Sequence, residues 1–192
     1  MNGGPEGPAR CPWALAVPGY PDYVRYHDEE WGRPVHEDRA LFERLSLEAF
    51  QSGLAWVTVL RKREALRAAF AGFDPAVVAE YAAADVDRLL QDPGVIRNRA
   101  KVTAVVANAR AVLTLHTSLD DLLWSFAPER PPPPRRTAAD VPAASPESAA
   151  MARELKRRGF RFVGPTTAYA LMQATGMVDD HLVGCWCRGR WR

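Results

Sequence analysis

The sequence contains no run of about 18 apolar residues, so we expect no membrane-spanning helix and no membrane partner. Residues 1–10 contain no apolar segment of the kind that a secretory signal requires. Only three cysteines occur among the 192 residues. A small, odd number of cysteines argues against a disulfide framework and favours metal ligands or free thiols. These absences together predict a cytoplasmic protein.

A strong excess of one charge is also lacking, because the formal net charge is only +2. A nucleic-acid partner must therefore be argued from local clusters of basic residues. The length, and a hydrophobic content of 47%, suit one domain with a substantial core. We expect that domain over residues 11–187 of a monomer, between a disordered tail at 1–10 and a basic tail at 188–192.

Signals for β-strands are scarce, and the best candidate is the short stretch 160–163. Helical signals dominate, and apolar residues recur with a period of 3.6 between 102 and 113. The capping types and prolines at Asp38, Asp74, Asp85 and Ser145 predict further helix starts, and apolar patterns predict helices near 119–126 and 166–175. The proline-rich stretch 128–136 predicts a stiff, exposed connection. The fold class predicted is all-α.

The spacing of histidine and cysteine residues indicates a metal site. His181 and Cys185 are four residues apart, which predicts that both lie on one face of a helical turn. Cys11 and His27 could supply a second pair across a short loop, completing a structural Cys2His2 tetrahedron. With all four positions filled by protein, such an ion would stabilise the fold and do no chemistry. Spacing alone equally allows these residues to lie apart, and Cys187 competes for the fourth position.

Residues 85–109 have the pattern of a helix, a tight turn and a longer helix. A helical hairpin of this kind directs backbone N–H groups, at the start of a helix, toward a DNA phosphate without reading the base sequence. By itself the pattern favours an ordinary helical hairpin with a solvated basic face. The candidate DNA-backbone contacts are Gly94, Val95, Ile96, Arg97, Arg99 and Lys101.

Glu48 is the candidate catalytic residue, because it shares a helix face with Leu41 and Leu45. A carboxylate among apolar neighbours has a partner, a shifted pKa or a role in a site. Aromatic rings beside such a carboxylate suit a flat cationic ligand. The pattern alone favours a structural ion pair in an aromatic core. The aromatic residues near Glu48 in the sequence are Trp13, Tyr23, Tyr26, Trp31 and Trp56.

Seven short motifs occur in order between Cys11 and Cys185. They are Cys-Pro-Trp at 11–13, Tyr-His-Asp-Glu-Glu-Trp-Gly at 26–32, Leu-Phe-Glu at 41–43, Leu-Glu at 47–48, Gln-Ser-Gly-Leu-Ala-Trp at 51–56, Arg-Gly-Phe-Arg-Phe-Val-Gly at 158–164 and Asp-His-Leu-Val-Gly-Cys at 180–185. Together they resemble the 3-methyladenine DNA glycosylase I family over nearly the whole chain. The departures are Ala49-Phe50, where some members carry Gly and Gln, and Ala170, where a Ser is frequent.

The resemblance implies an all-α, helix-hairpin-helix glycosylase with a structural zinc site that joins the N- and C-terminal segments. It implies a monofunctional base-excision repair enzyme, which hydrolyses the glycosidic bond of 3-methyladenine in double-stranded DNA. The family's base-recognising glutamate falls on Glu48, which could instead activate water as a general base, and the sequence does not separate these two roles. Its pocket aromatics fall on Trp13, Tyr23, Tyr26, Trp31 and Trp56, and its zinc ligands fall on Cys11, His27, His181 and Cys185. The alternative function is a zinc-stabilised DNA-binding module without catalysis.

Overall fold

A computed structural model describes residues 7–191. Within that range the chain forms α-helices, short 3-10 segments and loops, and the described residues contain no β-strand. The one isolated β-bridge among them joins Arg135 to Leu182. The α-helices are α1 (Pro21–Glu29), α2 (Asp38–Gln51), α3 (Trp56–Ala69), α4 (Pro75–Ala79), α5 (Ala83–Gln91), α6 (Arg99–Leu113), α7 (Leu119–Trp124), α8 (Pro146–Arg157) and α9 (Pro165–Ala174). The 3-10 segments are Pro12–Leu15, Ala71–Phe73 and Ala138–Asp140. The predicted all-α class is confirmed.

Polar caps begin several of these helices where the sequence predicts a start. The Asp74 carboxylate accepts a hydrogen bond from the amide of Ala76, and Pro75 opens α4. Ser145 caps α8 in the same manner, by accepting from the amide of Ser148. The side chain of Asn98 caps α6, at a start that the sequence pattern did not predict. Local capping chemistry therefore fixes these three starts.

The cap of α2 is Glu37, one residue before the predicted Asp38. The Glu37 carboxylate accepts from the amides of Arg39 and Ala40. Asp38 instead accepts from the amides of Leu119 and Asp120, at the start of α7. A carboxylate at a helix N-terminus stabilises it wherever it comes from in the sequence, so Asp38 joins two helices in space.

Helix α2 lies at the centre of the domain. It packs against α3, α6, α7 and α9, while α8 packs on α9 and α4 on α6. Its buried side chains include Leu41, Phe42, Leu45, Leu47 and Phe50, and these form part of one continuous core. The C-terminal turn of α2 carries Glu48, so the core fixes the position of that carboxylate.

Both ends of the described chain are attached to the rest of the domain. Arg10 forms an ion pair with Asp28 (2.7 Å), and the amide of Gly189 donates to Asp179 (2.8 Å). Positions 1–6 of the predicted N-terminal tail, and Arg192 of the predicted basic tail, lie outside the described residues. No helix within residues 7–191 has the length and apolar character needed to cross a bilayer.

Candidate active site

The predicted glutamate and all five predicted aromatic residues line one small cavity. Its volume is about 160 Å³. The lining residues are Trp13, Tyr23, Tyr26, Trp31, Glu48, Gln51, Trp56, Ala170 and Gln173. Gln51 and Gln173 were not predicted as site residues. Both belong to the helices that carry other lining residues, α2 and α9.

Several separate segments bring these side chains together. Tyr23 and Tyr26 are three residues apart on α1 and therefore share one helix face. Trp13 comes from the preceding 3-10 segment, and its ring packs edge-on against Tyr23 and Trp31, with centroids 5.5 and 5.1 Å away. Tyr26 also packs against Trp56, at 5.1 Å, where α3 begins. The rings thus support one another around the cavity.

Glu48 lies in this aromatic cavity with almost no access to water. Its side chain is 5% exposed, and Oε2 has no hydrogen-bond partner among the described residues. Burial raises the pKa of the Glu48 carboxyl to about 8, although the nearby charge of Arg44 acts in the opposite direction. The ring nitrogen Nε1 of Trp56 is likewise buried without a partner. A buried acceptor and a buried donor are therefore available to a ligand.

Arg44 is buried behind this cavity, one helical turn before Glu48. Its Nη2 atom donates to Glu30 (2.8 Å), and its guanidinium lies 5.8 Å from the centre of the Tyr26 ring. Its Nη1 atom is buried and has no partner among the described residues. Glu30 also accepts two hydrogen bonds from Arg63. A positive charge is thus held on the protein side of the cavity wall.

A second cluster joins the two ends of the chain. Potential ligand atoms of His27, His181, Cys185 and Cys187 all lie within 4.8 Å of one another, and all four residues are buried. His181 Nδ1 is 3.0 Å from Asp179, and His27 Nδ1 is 2.8 Å from Asp28. Carboxylates that hold the outer nitrogen of a histidine are typical of metal sites. The buried Nε2 of His181 has no partner, which fits an atom that faces a metal ion.

The two rival cysteines lie on different sides of the His27 ring. Cys185 Sγ is 3.5 Å from Nε2, whereas Cys187 Sγ is 3.9 Å from Nδ1, on the side occupied by Asp28. Cys11 is also buried and packs in one cluster with both cysteines, while its Sγ accepts from the amide of Leu182 (3.3 Å). Cys185 therefore faces the nitrogen that is free to bind a metal.

The segment that carries His181 and Cys185 is not helical, contrary to the predicted helical turn. It forms turns and irregular structure that begin after α9. The parallel bridge between Arg135 and Leu182 fixes this segment, and the amide of Val183 donates to the carbonyl of Arg135 (2.7 Å). Tertiary contacts, rather than helical periodicity, bring His181 near Cys185.

The predicted hairpin consists of α5, a turn at 92–98 and α6. The side chain of Val95 is buried in the turn, and the Gly94 amide donates to Asp92 (2.7 Å). The amides of Ile96 and Arg97 donate to no described residue. The Arg97 side chain is exposed, and that of Arg99 pairs with Asp87 at the surface (2.7 Å). Two free amides and an exposed arginine thus precede α6.

Lys101 differs from the other residues of the hairpin because its ammonium group points into the protein. It donates to the carbonyl of Phe50 (2.8 Å) and to that of Ser52, and its side chain is buried. Both carbonyls lie where α2 ends and a short loop leads to α3. Lys101 therefore joins the hairpin to the loop at the edge of the cavity.

The chain is similar over most of its length to proteins of one family. A family model described as methyladenine glycosylase matches residues 14–188. The DNA-3-methyladenine glycosylase 1 of Escherichia coli (strain K12) is 46% identical over 182 residues, which cover 93% of this chain and 96% of the relative. A crystal structure of 3-methyladenine DNA glycosylase I matches with a TM-score of 0.89 at 46% identity, covering 94% of this chain and all of that one. A structure of the Staphylococcus aureus enzyme, described as the structural basis of 3-methyladenine recognition, has a TM-score of 0.86 at 34% identity and covers 92% and 95%.

Proposed function

Because the chain belongs to the methyladenine glycosylase family, we propose that it removes 3-methyladenine from alkylated DNA in base-excision repair. The reaction hydrolyses the N-glycosidic bond of the damaged nucleotide. The observation that carries the proposal is the cavity in which a buried, unpartnered carboxylate is surrounded by aromatic rings. A flat cationic base is the ligand that such a cavity suits best.

The charge of the damaged base supplies the selectivity. Methylation at N3 makes adenine a cation in DNA. The positive charge weakens the glycosidic bond of the base and attracts the base to a carboxylate. Tyr26 and Trp56 pack on the purine, and Glu48 accepts hydrogen bonds from its N–H groups. Neutral adenine gains less from the same contacts, so it is bound less tightly.

Binding of the base also sets the charge of Glu48. With a pKa of about 8, Glu48 carries its proton at neutral pH in the free protein. A cation placed beside the carboxyl lowers that pKa, so the damaged base ionises Glu48 as it enters. A neutral base does not drive this proton release, so Glu48 is ionised at neutral pH only beside a cationic base.

The hairpin is proposed to hold the DNA backbone. The free amides of Ile96 and Arg97 and the exposed Arg97 side chain support a phosphate contact before α6. Gly94 and Val95 shape the turn, and Arg99 lies beside it. Lys101 is left out of the proposed phosphate contacts because its ammonium group is committed to carbonyls.

Leu54 is the proposed wedge that replaces the extruded nucleotide. Its side chain is 40% exposed, in the loop between α2 and α3 that Lys101 holds. It lines a second cavity that shares Glu48 and Gln51 with the first. An apolar side chain here can fill the gap in the base stack when the damaged nucleotide turns into the cavity.

A structural zinc ion is proposed at the junction of the chain ends. Its ligands are Cys11, His27, His181 and Cys185, a donor set that suits tetrahedral zinc. The unpartnered His181 Nε2 and the approach of Cys185 to His27 Nε2 support His27, His181 and Cys185 as ligands. Cys187, and not Cys11, belongs to the group whose potential ligand atoms lie within 4.8 Å of one another, so the choice of Cys11 rests on the family resemblance. Four protein ligands leave no open position, so the ion would contribute folding stability alone.

The absence of lysine from the cavity lining supports a glycosylase that does not cut the strand. Among the three lysines of the chain, Lys62 donates to the carbonyl of Pro93, Lys101 is held by carbonyls, and Lys156 is exposed on α8. Lyase chemistry needs an amine that can form a Schiff base with the sugar. We further propose that the protein acts as a monomer in the cytoplasm, as expected of a bacterial repair glycosylase.

Incubation with methylated duplex DNA tests the proposal. We expect free 3-methyladenine to appear in solution, and the strand to break only after the abasic site is treated with alkali. A folded, zinc-loaded protein that binds the DNA but releases no base would favour the alternative, a DNA-binding module without catalysis. Release of 7-methylguanine or hypoxanthine at a similar rate would contradict selectivity for 3-methyladenine.

A further inference from the structure

Two glutamines line the cavity, and the protein fixes the side-chain amide of only one of them. Gln173 donates from Nε2 to Oδ2 of Asp180, over 2.9 Å. The side-chain amide of Gln51 makes no hydrogen bond within residues 7–191 and is free to turn. A freely turning amide can offer its oxygen or its nitrogen to a ligand. A fixed amide offers one of them, and so can discriminate between ligands.

The Asp180 carboxylate decides which atom Gln173 offers. Asp180 is buried, and its Oδ1 accepts from Arg135 (2.8 Å) while its Oδ2 also accepts from the hydroxyl of Tyr169 (2.6 Å). Arg135 and Tyr169 both donate to this carboxylate, so each of its oxygens acts as a hydrogen-bond acceptor. Turning the Gln173 amide over would place its carbonyl oxygen against Oδ2. The Nε2 group of Gln173 must therefore face Asp180.

The remaining atom of that amide is the carbonyl oxygen Oε1. It has no partner among the described residues and is not a fully buried atom. Gln173 lines the aromatic cavity and also a neighbouring cavity that Asp180 lines, so this oxygen is a fixed acceptor on a residue shared by the two. Purines differ in the group that they can present to such an acceptor. Adenine carries an amino group, a hydrogen-bond donor, on C6, whereas guanine and other 6-oxo purines carry an acceptor there.

We propose that Gln173 is a specificity-determining residue whose side-chain carbonyl accepts a hydrogen bond from the C6 amino group of the extruded purine. Asp180 is the positioning residue that fixes the amide. The inference rests on the proposed function, because it takes the cavity as the site of the damaged base. The C6 amino group carries two hydrogens, so Glu48 accepts a hydrogen bond from one of them and attracts the positive charge of the base, while Gln173 accepts from the other and adds to the separation of amino from oxo purines. A 6-oxo base would bring two acceptors together and leave both without a hydrogen bond, so its affinity should be much lower than that of an amino base.

Binding of free bases tests this role without the glycosidic reaction. Quenching of tryptophan fluorescence by 3-methyladenine is compared with quenching by 3-methylhypoxanthine, which carries an oxo group on C6. We expect the wild-type protein to prefer the amino base by about tenfold or more. Gln173→Met keeps the length of the side chain and removes the amide, and should reduce that preference by about tenfold.

Two further variants separate the role of Gln173 from a general effect on the cavity. Gln51→Met removes the unfixed amide and should leave the ratio of the two affinities unchanged. In Asp180→Asn the side chain at position 180 no longer fixes the orientation of the Gln173 amide, so the preference for the amino base should fall. This variant tests the proposal if Gln173→Met does not fold.

Equal weakening of both bases by Gln173→Met, or an unchanged ratio, would overturn the proposal. So would a loss of preference in Gln51→Met as large as that in Gln173→Met. The release of 3-methyladenine from methylated DNA is measured on the same wild-type preparation. If the base is released but the ratio does not depend on Gln173, the role of Gln173 fails and the proposed function stands. If no base is released, the proposed function fails, and the binding ratio still decides the role of Gln173.

Discussion

Replacing Glu48 by glutamine should stabilise the protein, and by more as the pH rises. The carboxyl of Glu48 has a pKa of about 8 in the folded protein, against 4.5 as its ordinary value. The folded state therefore holds a proton that the unfolded state releases, and the free energy of unfolding falls as the pH rises from 4.5 to 8. One pH unit in this range corresponds to about 1.4 kcal/mol. Glutamine does not titrate, so its contribution stays constant.

The magnitude follows from the two pKa values. Between pH 6 and pH 8 the stability advantage of Glu48→Gln over the wild type should grow by about 2 kcal/mol. Urea denaturation of both proteins at the two pH values, with zinc in excess, measures it. Glu80→Gln, at an exposed position, is the matched control and should show no such growth. An advantage of Glu48→Gln that is the same at both pH values would refute the reasoning that Glu48 is buried in a protonated form.

Three other perturbations probe the metal, the charge behind the cavity and the wedge. The Cys185→Ser protein should lose its bound zinc and melt at a temperature lower by roughly 5 °C or more, while the Cys187→Ser protein should keep the metal. Equal zinc content of the two variants, measured by mass spectrometry, would contradict the ligand set. Arg44→Met removes a positive charge that lowers the pKa of Glu48. The pH at the midpoint of the rise in kcat/KM should therefore increase by about one pH unit. An unchanged midpoint would exclude an effect of Arg44 on the pKa of Glu48. Leu54→Ala should slow excision from duplex DNA about tenfold and affect single-stranded substrate less, and an equal effect on both would argue against a wedge.

Local chemistry in the sequence predicts much of the helical framework. The cap at Asp74 and the serine-proline start at Ser145 both depend on neighbours within three residues, and both occur where they are predicted. Asp38 shows the limit of such reasoning, because its carboxylate caps α7 from a distant part of the chain. Helix α3 was not predicted, since the charged run 61–64 interrupts its apolar positions, although Trp56, Val59, Leu60 and Leu66 are buried.

The candidate site likewise has parts that the sequence predicts and parts that depend on contacts between distant segments. Helical periodicity predicts that Glu48 faces apolar surroundings, and the family motifs predict which aromatic residues surround it. Neither indicates that Lys101 turns inward to hold the loop after α2, because that contact joins residues about fifty positions apart. The fixed orientation of Gln173 depends on Asp180, which is itself held by Arg135 from the proline-rich connection. Such networks exist only once the fold brings distant segments together.

Single-turnover excision by Glu48→Gln tests the central claim, that the aromatic cavity around Glu48 is the active site. The variant is saturated onto a duplex with one 3-methyladenine, and the rate of base release and the affinity for the free base are measured together at pH 7.5. We predict a loss of about a hundredfold in the single-turnover rate of base release relative to the wild type, because a cationic base loses its only proposed carboxylate partner. A loss confined to affinity would make Glu48 a base-binding residue rather than a general base. A variant that binds and releases 3-methyladenine as the wild type does would contradict the assignment of this cavity as the active site.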